Sequence, residues 1–366
     1  MKSLEKRKHE SVFPKIMIFC LSFLLFLLIS FSTKGLYIHE EHSVQFVKVL
    51  NIQSQIQRNL KNRKIVLLIG IFTASKYKNR RDDIRDTWMK TCHEYKGCKS
   101  LFILDGLTAD GKPLDKIIMQ LQNESSHNNN DMKILRTPLG RNFALRILES
   151  LRFAFQEYDF DYFLRVDDDY YPCIHRLMFE LPKRMNLEYL FWGFTRCSPA
   201  RIDEGFVVFN NKLAIRILED ENSLICTDFG TTSISKWVMD ISRTQNVSWF
   251  ADNERVWHHP PVSLVPELKK KTEICHTYLA LHGVYFGDMK VFHKIMLGEN
   301  KTDYTLNTVK NHCKLPKHRV FPLWSLDPDG LCQETPLFDL SNKRGTPYRG
   351  RESMAGQNFT MKQRHL

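Results

Sequence analysis

The apolar and polar positions divide the chain into stretches of different character. From Ile16 to Thr33 there is no charged residue, and Ile16 to Ile29 is almost wholly apolar. A helix over residues 16–33 spans about 27 Å, the hydrocarbon thickness of the thinner early-secretory membranes. Residues 34–63 are polar and rich in Gln, Asn and Lys, with one weakly apolar stretch from Val44 to Leu50; they read as a stem. The pattern then changes sharply. Lys64 to Phe72 is a continuous β-prone apolar run, as expected of a strand buried on both faces.

Alternation follows. The spacing predicts helices over Arg80–Lys90, Pro113–Leu121 and Asn142–Tyr158, the last with a stripe of Phe143, Ile147, Leu148, Leu151 and Phe155. Short strands are predicted at Leu101–Leu104, Met132–Leu135 and Phe160–Val166. Further on come strands at Glu188–Trp192 and Phe206–Phe209 and helices at Asn210–Asp220 and Phe229–Ile241. Strands alternating with helices mean an α/β sheet, and such sheets gather ligands at the carboxyl ends of their strands. Residues 298–366 are basic, rich in Lys, Arg, Asn and Pro, and weakly periodic. They read as an extension tethered by Cys313 and Cys332. The expected organisation is therefore a tail (1–15), a membrane anchor (16–33), a stem (34–63), a folded domain (64–297) and a basic extension (298–366).

Charge orients the anchor. Lys2, Lys6, Arg7, Lys8 and Lys15 precede it, and Glu40 and Glu41 follow. The positive-inside rule keeps the N-terminus cytosolic and sends the remainder into the lumen. A cleaved signal peptide, cut near Ser30-Phe31-Ser32, is the competing reading; the apolar run exceeds the roughly 7–15 residues of a signal core, which favours the uncleaved anchor. Of the nine cysteines, Cys20 lies in the anchor and eight lie beyond it. An even number suits disulfides in an oxidising compartment, with Cys92 and Cys98 close enough for a local bridge. Four acceptor sequons, at Asn123, Asn246, Asn300 and Asn358, point the same way. The net charge of +12 could serve a nucleic acid, a membrane surface or an acidic substrate. Neither zinc-finger spacing nor an RNA-binding signature is present, and nucleic acid is not an expected partner.

The chemistry concentrates where the Phe160–Val166 strand runs into Asp167, Asp168 and Asp169. Three adjacent carboxylates are costly unless a positive charge sits among them. An acidic turn or helix cap is the plain explanation. The apolar strand before them, however, holds them at the rim of a rigid sheet, where hard oxygen ligands suit Mn²⁺ or Mg²⁺. A calcium loop fits poorly, for want of glycine punctuation and a distal bidentate Glu. Sugar transfer from a nucleotide-sugar uses such a cation to neutralise the diphosphate leaving group, together with a general base for the acceptor hydroxyl.

Two segments carry a resemblance. Arg80-Arg81-Asp82-Asp83-Ile84-Arg85-Asp86-Thr87-Trp88, placed after a strand, resembles the arginine-rich signature of the β-1,3-galactosyltransferase-like family, glycosyltransferase family 31. Tyr162 to Asp169 resembles that family's metal motif, with Arg165 where Lys is usual. Phe191-Trp192-Gly193-Phe194 and Cys275 to His282 resemble the branch that adds galactose to proteoglycan linkage sugars. The resemblance implies a GT-A-like nucleotide-sugar-binding sheet flanked by helices, a Golgi location, Mn²⁺ or Mg²⁺ as cofactor, a UDP-sugar donor and a glycan acceptor on protein or lipid. It further implies that Asp169 and His282 hold the metal. Asp167, Asp168, Arg80, Arg81 and Arg85 would face the donor, and Trp88 would pack in the core. The family's Glu-Asp-Val segment is Thr227-Asp228-Phe229 here, so Asp228 is the implied base. Asp203 and Glu204, in the altered segment Asp203-Glu204-Gly205-Phe206, are the acids able to compensate. An inactive lumenal binding protein is the alternative this departure leaves open.

Overall fold

The structure, a computed structural model, describes residues 64–108, 111–140, 143–197, 200–226, 230–258, 264–285, 287–300, 304–307 and 330–332. The expected tail, anchor and stem lie outside these residues, as do Asp228, Asn358, Cys313 and most of the extension. Among the described residues no helix is long and apolar enough to cross a membrane.

In chain order the first elements are β1 (Ile65–Phe72), α1 (Lys78–Asp86), α2 (Trp88–Glu94), β2 (Cys98–Leu107), α3 (Asp115–Ser126), β3 (Met132–Pro138), α4 (Phe143–Glu157) and β4 (Phe160–Asp167). Next come β5 (Tyr170–Pro172), α5 (Ile174–Glu180), β6 (Tyr189–Cys197), β7 (Ala200–Asn210), α6 (Asn211–Glu219), β8 (Ile225–Cys226) and α7 (Gly230–Ile241). The remainder are β9 (Val247–Ala251), β10 (Val256–Trp257), α8 (Leu264–Leu268), β11 (Ala280–His282), α9 (Asp288–Gly298) and β12 (Gly330–Leu331).

Seven strands form one sheet in the order β3-β2-β1-β4-β7-β6-β9. β1, β2, β3 and β4 are parallel, and β7 runs against both β4 and β6. β9 is parallel to β6. Two apolar layers cover the sheet, one on each face. In β1, Leu67, Ile69 and Ile71 join the layer with α1, α2, α5 and α9, while Leu68 and Phe72 join the layer with α4, α6 and α7. Gly70 is needed between them, because a Cβ there would lie 2.8 Å from the Phe163 ring. Burial on both faces explains why β1 reads as an unbroken apolar run rather than an alternation.

The predicted strands and helices of the sheet are all found, several of them longer than predicted. One helix differs in kind. Arg80–Lys90 is broken at Thr87, which stands at φ −122°, ψ −114° between α1 and α2. The Thr87 hydroxyl donates to the Asp83 carbonyl at 2.6 Å, a local bond that competes with helix continuation. β5, α5, β8, every element from β9 to α9, and β12 were not predicted; β5, β10 and β11 form a second, three-stranded sheet. Disulfides join Cys92 to Cys98, as their separation predicts, Cys173 to Cys275 and Cys226 to Cys332. The last one, with the β8–β12 pairing, ties the extension to the domain through Cys226.

Candidate active site

Strand direction decides where chemistry can gather. The carboxyl ends of β1, β4, β6 and β9 and the amino end of β7 share one edge of the sheet. That edge carries Thr73, the three aspartates, Phe194, Asp203 and Asp252. The aspartates point to three different partners. Asp167, the most exposed, pairs with Arg165 at 2.8 Å. Asp168 is buried; it accepts from the Thr73 hydroxyl at 2.6 Å and from Arg80 at 2.7 Å. Asp169 accepts from the Tyr285 hydroxyl at 2.8 Å and faces the His282 Nε2 at 3.4 Å.

His282 reaches Asp169 because β11 pairs antiparallel with β5, setting His282 opposite Tyr170. Its Nδ1 bonds the carbonyl of His258. A carbonyl can only accept, so Nδ1 carries a proton, and Nε2 is the nitrogen turned to the carboxylate. The ring is stacked between Tyr170, 4.6 Å away, and His258, 5.1 Å away with the planes 5° apart. Arg80 is likewise sandwiched, over the rings of Tyr77 at 4.1 Å and Tyr285 at 4.9 Å.

These contacts set the ionisation of the cluster. Burial pushes Asp168 up to about 6 against the pull of Arg80. Burial also raises Asp167 against Arg165. Burial opposes the Asp169 carboxylate too, but His282, Arg80 and the Tyr285 hydroxyl together hold it below the usual carboxylate range. His282, in spite of burial, is raised to about 9 by Asp169. With the Nε2 proton released, as metal binding requires, the ionised carboxylate and the neutral imidazole would be a donor set that fits Mn²⁺. Among the described residues no three His, Cys, Asp or Glu side chains converge as a ready cage. Ions of this class are often held by one or two protein ligands, with phosphate oxygens completing the shell.

The other expected site residues separate by position. Arg81 is fully buried and forks onto Glu124 at 2.7 and 2.9 Å; it also donates to the carbonyls of Ala74 and Ser75. Arg85 bridges Asp131, Glu124 and Asp82. Both side chains are thus anchors behind the loop that follows β1, and Arg80 alone of the three touches the aspartates. Trp88 is fully buried in the core. Asn123, Asn246 and Asn300 are exposed. Thr73, Tyr77, His258 and Tyr285 were missed. The rule that ligands gather at strand carboxyl ends could have flagged Thr73, the residue after β1; the other three carry no local signal.

Comparison with known proteins covers part of this site. The family model described as Galactosyltransferase matches residues 79–231, from the arginine helix through the aspartates to the start of α7. Similar proteins include three from Arabidopsis thaliana. "Probable beta-1,3-galactosyltransferase 4" is 25% identical over 157 residues, 41% of this chain and 38% of that protein. The corresponding protein 8 is 25% identical over 159 residues, 41% of this chain and 40% of its own length. Protein 5 is 24% identical over 161 residues, 42% of this chain and 39% of its own length. The chain thus spans about two fifths of each relative, and the matched family segment ends before His258 and His282. With the arginine helix and the aspartate-tipped strand both inside the matched segment, residues 79–231 match the galactosyltransferase family model, the family to which the sequence motifs point.

Proposed function

We propose that this chain is an inverting, metal-dependent hexosyltransferase that moves galactose from UDP-galactose, in β-1,3 linkage, onto a glycan of a glycoprotein, proteoglycan or glycolipid. The proposal places it as a single-pass type II protein of the Golgi membrane with its domain in the lumen. The observation that supports it best is the β4 terminus. There Asp169 faces His282 at 3.4 Å, and Asp168 is locked to Arg80 beside the end of β1. That is one ionised carboxylate–imidazole pair aimed outward and one carboxylate–guanidinium pair holding it in place.

Asp169 and His282 would hold Mn²⁺ or Mg²⁺, which supplies charge neutralisation for the departing diphosphate. The chain's own residues do the rest. Arg80, held between the Tyr77 and Tyr285 rings, adds positive charge on the donor side. Arg165 holds Asp167 where it meets the nucleotide. The acceptor oxygen attacks the anomeric carbon as the bond from that carbon to the diphosphate oxygen breaks. The hydroxyl proton passes to a carboxylate on the opposite face of the sugar, and Asp228, at the matching family position, is assigned that role. The change of the family's Glu to Thr227 favours one second reading, a lumenal binding protein without transfer activity.

Release of UDP by the full chain, assayed with Mn²⁺ and a panel of UDP-sugars and simple glycoside acceptors, separates the two. Transfer is expected with UDP-galactose. Asp169→Asn keeps the size and removes the charge, so Mn²⁺-dependent donor binding, followed by calorimetry, should fall sharply. A variant that binds donor and Mn²⁺ like the parent would reduce the three aspartates to a turn.

A further inference from the structure

Beside the metal-facing pair lies a second carboxylate–imidazole pair that the donor chemistry does not use. Asp203 sits near the amino end of β7, on the same sheet edge as the aspartates. Its Oδ2 is 3.1 Å from the His258 Nε2, and its Oδ1 accepts from the Gly205 N–H at 2.9 Å. His258 is buried, at 4% exposure, and its Nδ1 is 3.0 Å from the Tyr170 hydroxyl. The Nε2–Oδ2 approach is an ion-pair contact and not an aligned hydrogen bond, while Nδ1 shares a hydrogen bond with the Tyr170 hydroxyl. The His258 ring is further stacked between His282 and Phe194, whose centroid is 5.0 Å away. Asp203 is therefore oriented from behind by an imidazole that packing, hydrogen bonding and two ring stacks all hold.

Glu204, its neighbour, has a different task. Its carboxylate occupies the space where a Cβ on Gly230 would stand, 1.8 Å from that position, at the first residue of α7. Its N–H donates to the Thr231 hydroxyl at 3.3 Å, and its carbonyl accepts from Arg165. An acid at a helix N-terminus is stabilising there, and Glu204 is buried. Asp203 keeps 13% of its side chain exposed, and Phe194 beside its partner is only partly buried. An oriented, partly exposed carboxylate next to an aromatic face matches the two needs of a sugar ring: acceptors for its hydroxyls and an apolar surface for its C–H face.

We propose that Asp203 is an acceptor-binding residue, its carboxylate accepting hydrogen bonds from ring hydroxyls of the incoming sugar, with His258 as its positioning residue and Phe194 as the flanking ring. This rests on the transferase reading above. It adds an acceptor-side contact and leaves the proton transfer where that reading puts it. The test is steady-state kinetics on the full chain with UDP-galactose and a p-nitrophenyl glycoside series as acceptors. For Asp203→Asn the acceptor KM should rise about 10- to 100-fold, the range for loss of hydrogen bonds to a charged group. The donor KM should move by less than about threefold on the same argument, since no donor contact is lost. His258→Phe keeps a ring in the stack and removes both nitrogens; it should raise the acceptor KM with the same donor-sparing pattern. A merely structural role would raise both constants and lower the melting temperature together. An unchanged acceptor KM in both variants, or a rise confined to the donor KM, overturns the subsite while leaving transferase activity standing. No UDP release by the wild-type chain with any donor overturns the transferase reading and this one with it.

Discussion

Arg80, Arg81 and Arg85 share one helix turn and a half and one charge, and packing gives them separate tasks. Arg80 emerges at the sheet edge and meets Asp168. Arg81 points inward, where an unpaired guanidinium would be prohibitive, and finds Glu124 together with two backbone carbonyls. Through Ala74 and Ser75 it holds the loop that presents Thr73 to Asp168, so its effect on the site is indirect. Breaking a buried pair by removing one partner costs about 3–5 kcal/mol, because the other charge is left without compensation. Arg81→Met should therefore lower the denaturant midpoint strongly. Arg81→Lys, which keeps the charge and loses the fork, should fall in between. Equal stability of Arg81→Met and parent in urea titrations would remove Arg81 as an anchor. The distinction among the three was not legible locally: the motif shows cations on a helix, and only the position of Glu124, 43 residues along the chain, tells which cation is internal.

At the scale of elements, the notable join is β8 with β12. Two-residue strands have little pairing energy of their own, and here the Cys226–Cys332 disulfide accompanies them. The Cys332 N–H also donates to the Leu224 carbonyl at 2.9 Å, and the Trp237 indole N–H donates to the Ile225 carbonyl at 2.8 Å. Cys226 thereby becomes a fixed point directly before residues 227–229, with α7 and Glu204 as the fixed point after them. A disulfide closing a long loop typically contributes about 2–4 kcal/mol. Cys332→Ser should lower the melting temperature by several degrees, read by calorimetry, with Cys226 becoming alkylatable in the denatured, unreduced protein. A Cys226 that remains blocked in that variant would mean a different partner. The sequence reading tethered the extension through Cys332 as well, yet paired it with no particular cysteine, since connectivity depends on which chain segments the sheet brings within bonding distance.

Across the whole molecule, one buried charge ties distant segments together. Glu180 is fully buried and receives Arg176, Arg184 and Arg255, while Arg184 also donates to the Asn307 carbonyl at 2.9 Å. Burial opposes the Glu180 carboxylate, but Arg255 and Arg184 hold it below its ordinary value. A group depressed in the folded state contributes stability that is fully present above its unfolded pKa of roughly 4.3 and is lost as pH falls through the lower folded value. Glu180→Gln leaves the arginines without their common counter-charge, at a cost of about 3–5 kcal/mol near neutrality. The stability gap between parent and variant, measured by urea denaturation from pH 7 downward, should hold to about the unfolded value and then narrow. A gap independent of pH would show that Glu180 is not held as the ion.

The periodicity of the chain determined the α/β class, six strands of the main sheet (β1, β2, β3, β4, β6 and β7) and the placing of three aspartates at a strand's carboxyl end. It could do so because burial on two faces and helical stripes are local patterns that survive in a linear reading. The resemblance of the arginine helix and the aspartate motif then pointed to the family whose model matches residues 79–231. The resemblance already set His282 beside Asp169; what the residues by themselves left undecided was the physical reason for such relations between segments far apart in sequence. That His282 meets Asp169 follows from a pairing between β5 and β11, two strands of three residues each, too short to leave a period. That Asp203 meets His258 while Glu204 fills the space beside Gly230 follows from strand alternation at the start of β7 and from the room that Gly230 leaves for a carboxylate. His258 has no signature in its own neighbourhood; its role exists only because β10 sets its ring between Phe194 and His282. Side chains acquire these tasks from the distance and angle at which folding presents them, and neither quantity is written in a single segment.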